Sequence, residues 1–156
     1  METSRVPAAV DALLVILRAA PALAEVRIVD GPPPTTNLTE RHRIYIGWQP
    51  GSESAVGLTQ RFASAGARTR DEDFTIACYA ESRSGDKDMA LRRTRVFEIV
   101  AAVEIALRAT NELPEAPTLN GAVLWANLTA GDLIQEQSDS GPLAGLGFSV
   151  TCRARI

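Results

Sequence analysis

Phe74-Thr75-Ile76-Ala77-Cys78-Tyr79-Ala80 and Leu146-Gly147-Phe148-Ser149-Val150-Thr151-Cys152-Arg153-Ala154-Arg155-Ile156 are the two stretches that decide the fold. Each alternates with period two, the pattern of a strand with one buried face. In the second, the even positions are apolar or small, and Ser149, Thr151, Arg153 and Arg155 take the other side. A strand running to the last residue implies a terminus docked in a sheet, since free termini fray. Between the two stretches, Ser84-Gly85-Asp86-Lys87-Asp88 turns the chain into a helix expected to reach about Thr110.

That helix is well specified. Asp86 and Asp88 suit its N-terminus, where backbone N–H groups point outward and the dipole is positive. Met89, Val96, Val100, Val103 and Leu107 form one apolar stripe with Ile99 beside it, and Phe97, Ala101, Ala102 and Ile105 widen it. A face that broad suggests a second element or a neighbouring subunit packed against it. Arg92, Arg93 and Arg95 lie in the first turns, against the dipole preference.

Before this half, Ser4 to about Ala20 has helical spacing through Val6, Val10, Leu13, Leu14 and Leu17, with Pro7 tolerated in the first turn. Val26 to Val29 reads as a short strand ended by Gly31-Pro32-Pro33-Pro34. Arg43 to Trp48 reads as another, placing Ile44, Ile46 and Trp48 on one side. Residues 49–70, rich in Gly, Ser, Ala and Thr, read as a hairpin-like excursion or a loose loop. Asp71-Glu72-Asp73 reads as a solvated turn. Val123 to Leu128 is a further strand, Leu133 to Gln137 a short one of its own, and the glycines of Gly141 to Gly147 are turn glycines. The order predicts a single α+β domain over residues 1–156, a mostly antiparallel sheet with two main helices on one face.

Composition narrows the function. The chain has 156 residues, 46% hydrophobic and 22% charged, which is ordinary for one globular domain. A net charge of -3 lacks the basic footprint of a duplex binder. Lys87 is the only lysine, and every other one of the 16 basic residues is arginine, as GC-rich coding would give. Asp11, Arg18 and two prolines interrupt the apolar run from Val6 to Leu23, so neither a signal peptide nor a membrane span is expected, and the cytosol is the expected site of synthesis. In that compartment Cys78 and Cys152 should be buried thiols; a disulfide would need their strands to be neighbours.

Reaction chemistry finds little support. His42 is the only histidine and the cysteines are far apart in sequence, so a zinc site lacks ligands. The glycine-rich run at residues 141–147 opens a strand, not a helix, which is the wrong context for cradling phosphate. Glu104 and Arg108 read as an i,i+4 pair on a solvated helix face. The Arg41-His42-Arg43, Arg92-Arg93-Thr94-Arg95 and Arg153-Ala154-Arg155 clusters have no aromatics interleaved for base stacking.

The pattern resembles the tail terminator proteins of long-tailed bacteriophages, also called minor tail protein U-like or tail completion proteins. The carrying pieces are the Val6–Leu17 helix; Val26-Arg27-Ile28-Val29-Asp30-Gly31-Pro32-Pro33; Ile44-Tyr45-Ile46-Gly47; Phe74–Tyr79 with Ser84-Gly85-Asp86; Arg92-Arg93-Thr94-Arg95-Val96; and the Phe148–Ile156 strand. The resemblance implies a non-enzymatic virion subunit that caps the head-proximal end of the tail tube, commonly as a six-membered ring. It would stop tube polymerisation and form the surface that joins the head. Implied partners are copies of itself, the tail tube protein, a head-tail connector or head completion protein, and genome DNA passing through the lumen without sequence-specific binding. Neither a cofactor nor a metal is expected, and no membrane.

The family carries no active-site residues to transfer, so regions stand in their place. Residues 49–73 are the expected contact with tube or neighbours, and Arg92, Arg93 and Arg95 are expected to meet Asp71, Glu72 and Asp73 of an adjacent subunit. With Arg61, Arg68 and Arg70 these form the candidate interface. A head-tail connector or stopper ring component, and a small cytosolic ligand-binding domain, are the alternative readings.

Overall fold

The computed structural model describes residues 2–36, 38–138 and 141–156. Asp139 and Ser140, part of the polar connection expected before the last strand, lie outside them. The described residues form one α+β unit in the order α1 (Val6–Ala19), β1 (Arg27–Asp30), β2 (His42–Ile46), β3 (Val56–Phe62), β4 (Arg70–Arg83), α2 (Met89–Ala106), β5 (Trp125–Ser138) and β6 (Gly141–Arg155). The sheet runs β1-β2-β4-β6-β5, with β3 also paired to β4. All pairings are antiparallel except β1 with β2.

β4 is the spine. One of its sides pairs β6 along almost its whole length, from Asp71↔Arg155 to Arg83↔Leu143. Its other side is shared: β3 takes Arg70 to Ile76, and β2 takes Cys78 to Ser82. Ala77 marks the division. Its carbonyl accepts from the N–H groups of Gly47 and Trp48, and its own N–H donates to the carbonyl of Ala55. Gly47 holds φ +80°, a left-handed turn that swings the chain out of the sheet between β2 and β3.

The even-numbered face of the spine is the core. Phe74, Ile76, Cys78 and Ala80 of β4 and Leu146, Phe148, Val150, Cys152 and Ala154 of β6 are buried there with Ile44 and Ile46. α1 covers them with Leu13, Leu14, Ile16 and Leu17, and α2 with Val96, Ile99, Val100 and Val103. Cys78 lies opposite Phe148 and Cys152 opposite Phe74, so the two thiols are offset by four residues, about 13 Å along neighbouring strands. They are free and buried, and burial pushes both thiols up to about 12.

Five expectations need correction. α2 ends at Ala106, giving about 27 Å of helix and not the longer rod expected; Leu107 drops into the core and a turn closed by Thr110 follows. Trp48 does not join Ile44 and Ile46, because the turn at Gly47 carries it to the opposite face, where it meets Tyr45. Asp71-Glu72-Asp73 is not a turn but the start of β4. Leu133 to Gln137 belongs to the same strand as Trp125, interrupted by an irregularity between Ala130 and Leu133.

The glycines at 145 and 147 are strand residues, not turn residues. A Cβ on Gly145 would fall 1.7 Å from the Tyr79 hydroxyl, so a bare backbone there is what lets the tyrosine ring lie across β6.

Candidate assembly surfaces

The acidic run at the head of β4 divides between the two faces of the sheet. Glu72 points to the helix side and is fully buried. Its Oε1 accepts the backbone N–H of Arg5 at 2.8 Å, and its Oε2 accepts from the Gln60 side-chain amide. Gln60 also donates to the Thr3 carbonyl and accepts from Arg70. Arg5 extends the set, its Nε donating to the Ala122 carbonyl and its guanidinium pairing with Glu2. Glu72 and Arg70 therefore fasten the start of α1 to the sheet, a position that keeps Glu72 from any adjacent subunit.

Asp71 and Asp73 point to the face that no helix covers. Asp71 accepts from Arg155 at 2.8 Å, and Asp73 accepts from Arg153 at 2.9 Å with Arg61 at 3.4 Å on its other oxygen. The hydrogen-bonded arginines hold both carboxyls below the usual range. The partners expected across a subunit boundary are already supplied by β6 and β3 of the same chain.

The arginines of α2 are likewise occupied. Arg92 is buried, its guanidinium donating to Ser82 Oγ at 2.9 Å and to the Arg83 carbonyl at 3.2 Å, with Asp86 at 3.7 Å. Since Arg92 donates to Ser82 Oγ, the serine hydroxyl is free to donate to His42 Nδ1, 3.1 Å away. Burial, with Arg95 and Arg92 nearby, lowers the His42 pKa below 6.5. Ser82 is completely enclosed, so this serine–histidine contact ties β2 to β4 and α2. Arg93 donates to Gln135 of β5 at 2.7 Å, and Arg95 pairs with Glu98. Of the nine candidate residues, Arg68 alone has no hydrogen bond or ion pair among the described residues.

Sequence reasoning passed over a second cluster on the uncovered face. Tyr45, Trp48 and Tyr79 pack together, with ring centroids 5.2 to 6.2 Å apart. Beside them Glu81, buried to 4% exposure, accepts from the Tyr45 hydroxyl at 3.2 Å and from Arg43 and Arg83. Arg43 also donates to the carbonyls of Glu40 and Leu38, pinning the loop before β2 to the sheet. Burial pushes the Tyr79 hydroxyl up to about 12. The signal was present in the aromatic positions 45, 48 and 79, but their shared face depends on the turn at Gly47.

The open sheet edges remain. β1 is a short edge, blunted by the prolines that follow it. β3 and β5 are longer, and each has one side without a paired strand among the described residues. They differ in charge. β3 carries Arg61, paired in the same chain with Asp73, and the turn after it carries Arg68, with no acid among residues 56–69, while β5 carries Asp132 and Glu136 with no base. Each also shows apolar side chains on the helix side of the sheet. On β3, Leu58 opposite Phe74 and Phe62 opposite Arg70 are exposed, Phe62 to 66%. On β5, Leu133 opposite Leu146 is partly exposed, and exposed Phe97 and Ile105 of α2 lie on the same side of the sheet.

No group of three or more His, Cys, Asp or Glu residues able to hold a metal occurs among the described residues, and none of their helices is long and apolar enough to cross a membrane. A scan of protein-family models and a search of curated proteins both find no match to this chain.

Proposed function

We propose that this protein is a structural subunit of a long-tailed bacteriophage, one that caps the head-proximal end of the tail tube as a ring. The observation that carries the reading is the pair of open sheet edges with opposite charge. Identical copies that join through two different surfaces meet head to tail, and such contacts close into a ring or extend into a filament. A cap must do the first. One ring face then docks on the last tube ring, and the other lacks what a further tube ring would bind, so growth ends and the head-attachment surface is left exposed.

The partners are copies of this chain, the tail tube protein and a head completion protein. The work is association, without catalysis and without a cofactor. Genome DNA passes through the lumen. Arg153 and Arg155 on the uncovered sheet face are matched by Asp73 and Asp71, which suits a lumen that does not hold the phosphate backbone tightly.

The test is to image the protein mixed with purified tail tubes by negative-stain electron microscopy. Extra density is expected at one end of each tube, the end that later joins a head. Density along the tube wall, or at neither end, would sink the reading. Attachment to tailless heads instead would place the protein in the head-tail connector.

A further inference from the structure

We infer that the basic edge strand β3 of one copy pairs with the second half of β5, Leu133 to Gln137, in the next, so that one sheet runs through both. This rests on the reading above that copies of the chain associate. Sign selects the pairing. β5 against β5 brings Asp132 and Glu136 of one copy against the same acids of the other, and β3 against β3 brings Arg61 and Arg68, which follows β3, against the same arginines. Like charges opposite one another across strands are destabilising, whereas opposite charges are favourable. Only the heterologous pairing brings unlike charges together.

The lengths and faces also agree. The irregularity after Ala130 divides β5, leaving a regular run paired to β6 from Leu133 to Ser138, close to the seven residues of β3. Asp132 and Glu136 are exposed and without ion pairs among the described residues, as is Arg68. Joined antiparallel, in keeping with the β3-β4-β6-β5 pairings, the strands continue the sheet with its helix side as one surface. Leu58 and Phe62 then arrive on the side where Leu133 and the exposed α2 residues Phe97 and Ile105 already stand. Backbone hydrogen bonds supply the join, alternate side chains its register, and the exposed apolar groups the burial.

The experiment uses the full chain in two charge-altered forms, R61Q/R68E on β3 and the turn after it and D132N/E136R on β5, with folding of each checked by circular dichroism. Sedimentation velocity is run with and without tail tubes. Wild type is expected to assemble, each variant alone to lose at least tenfold in association, and a mixture of the two to recover it, because every junction in an alternating assembly again joins opposite signs. A second arm mixes L58C and L133C chains with a short bis-maleimide. Cross-linked pairs are expected from the mixture and not from either chain alone, since native Cys78 and Cys152 are fully buried.

Unaltered assembly of the single variants, or a mixture that fails both to recover and to cross-link, overturns the interface. Tube-end binding without cross-links overturns the interface and leaves the tail reading standing. Cross-linked rings that ignore tail tubes overturn the tail reading and leave the interface standing. A chain that neither assembles nor binds tubes overturns both.

Discussion

Glu72 and Asp73 are consecutive acids on one strand, yet they belong to different environments. Glu72 is sealed beneath the start of α1, with its oxygens committed to a backbone N–H and a side-chain amide. Asp73 stands on the uncovered face between Arg153 and Arg61, open to water. At the head of β4 the two faces thus use charge differently. There the covered face makes its carboxylate a fixed joint whose removal strands buried donors, while the open face makes its own one of several screened pairs of small individual worth; only further along the open face, at Glu81, is a carboxylate buried again.

That contrast can be broken or sharpened by substitution. The largest effect belongs to the covered face itself: Phe148→Ala, at the centre of the core, should cost about 3–5 kcal/mol in urea unfolding. Glu72→Ala should follow at about 2–3 kcal/mol, because Gln60 and the Arg5 N–H lose a buried acceptor. A cost for Glu72→Ala no larger than that for Asp73→Ala would erase the distinction between the faces. Gly145→Ala should cost about 1–3 kcal/mol by forcing Tyr79 off β6, and adding Tyr79→Phe should recover part of it. Asp73→Asn should leave the urea midpoint at neutral pH within error of wild type, since exposed pairs contribute little.

Titration separates the groups once more. His42 has a lowered folded pKa, so the unfolded chain takes up its proton first as pH falls. Stability should be flat above about pH 7 and decline as pH drops through 6.5, a slope that His42→Asn should remove. Asp71 and Asp73, with depressed carboxyl pKa values, stabilise above their ordinary 3.8 and lose that contribution as pH falls through the lower folded values. Two separate pH windows are therefore expected, the higher one belonging to the helix-side joint of β2, β4 and α2.

Much of the fold was legible because its signals are periodic. The alternation of β4 and β6 and the Met89 to Leu107 stripe each specify a buried face without outside help. What failed to show was what depends on contact between distant segments. The acidic run at residues 71–73 has the composition of a turn; only pairing with β3 and β6 makes it a strand, and only Arg5 and Gln60 make the buried acid tolerable. Arg92 likewise reads as surface charge, because the carbonyl and serine that accept its protons arrive from β4. Of the interface proposed above, Arg61 and Arg68 are among the residues the sequence singled out, whereas the acids of β5 are not. Asp132 and Glu136 are too sparse to stand out until β5 is known to be an edge.

The joint at Glu72 also carries a consequence for how the chain matures. Ser4 Oγ accepts the Val6 N–H locally, but the acceptor for the Arg5 N–H lies 67 residues further along. A nascent α1 therefore leaves the ribosome with an exposed apolar stripe and the Arg5 N–H still without its acceptor, and must wait for the hairpin of β3 and β4 before that joint can form. Stabilising contacts that span so much chain form slowly. In pulse-labelled hydrogen exchange during refolding, the amides at the start of α1 should gain protection after those of the β3–β4 hairpin. The first helix made would be among the last to be secured.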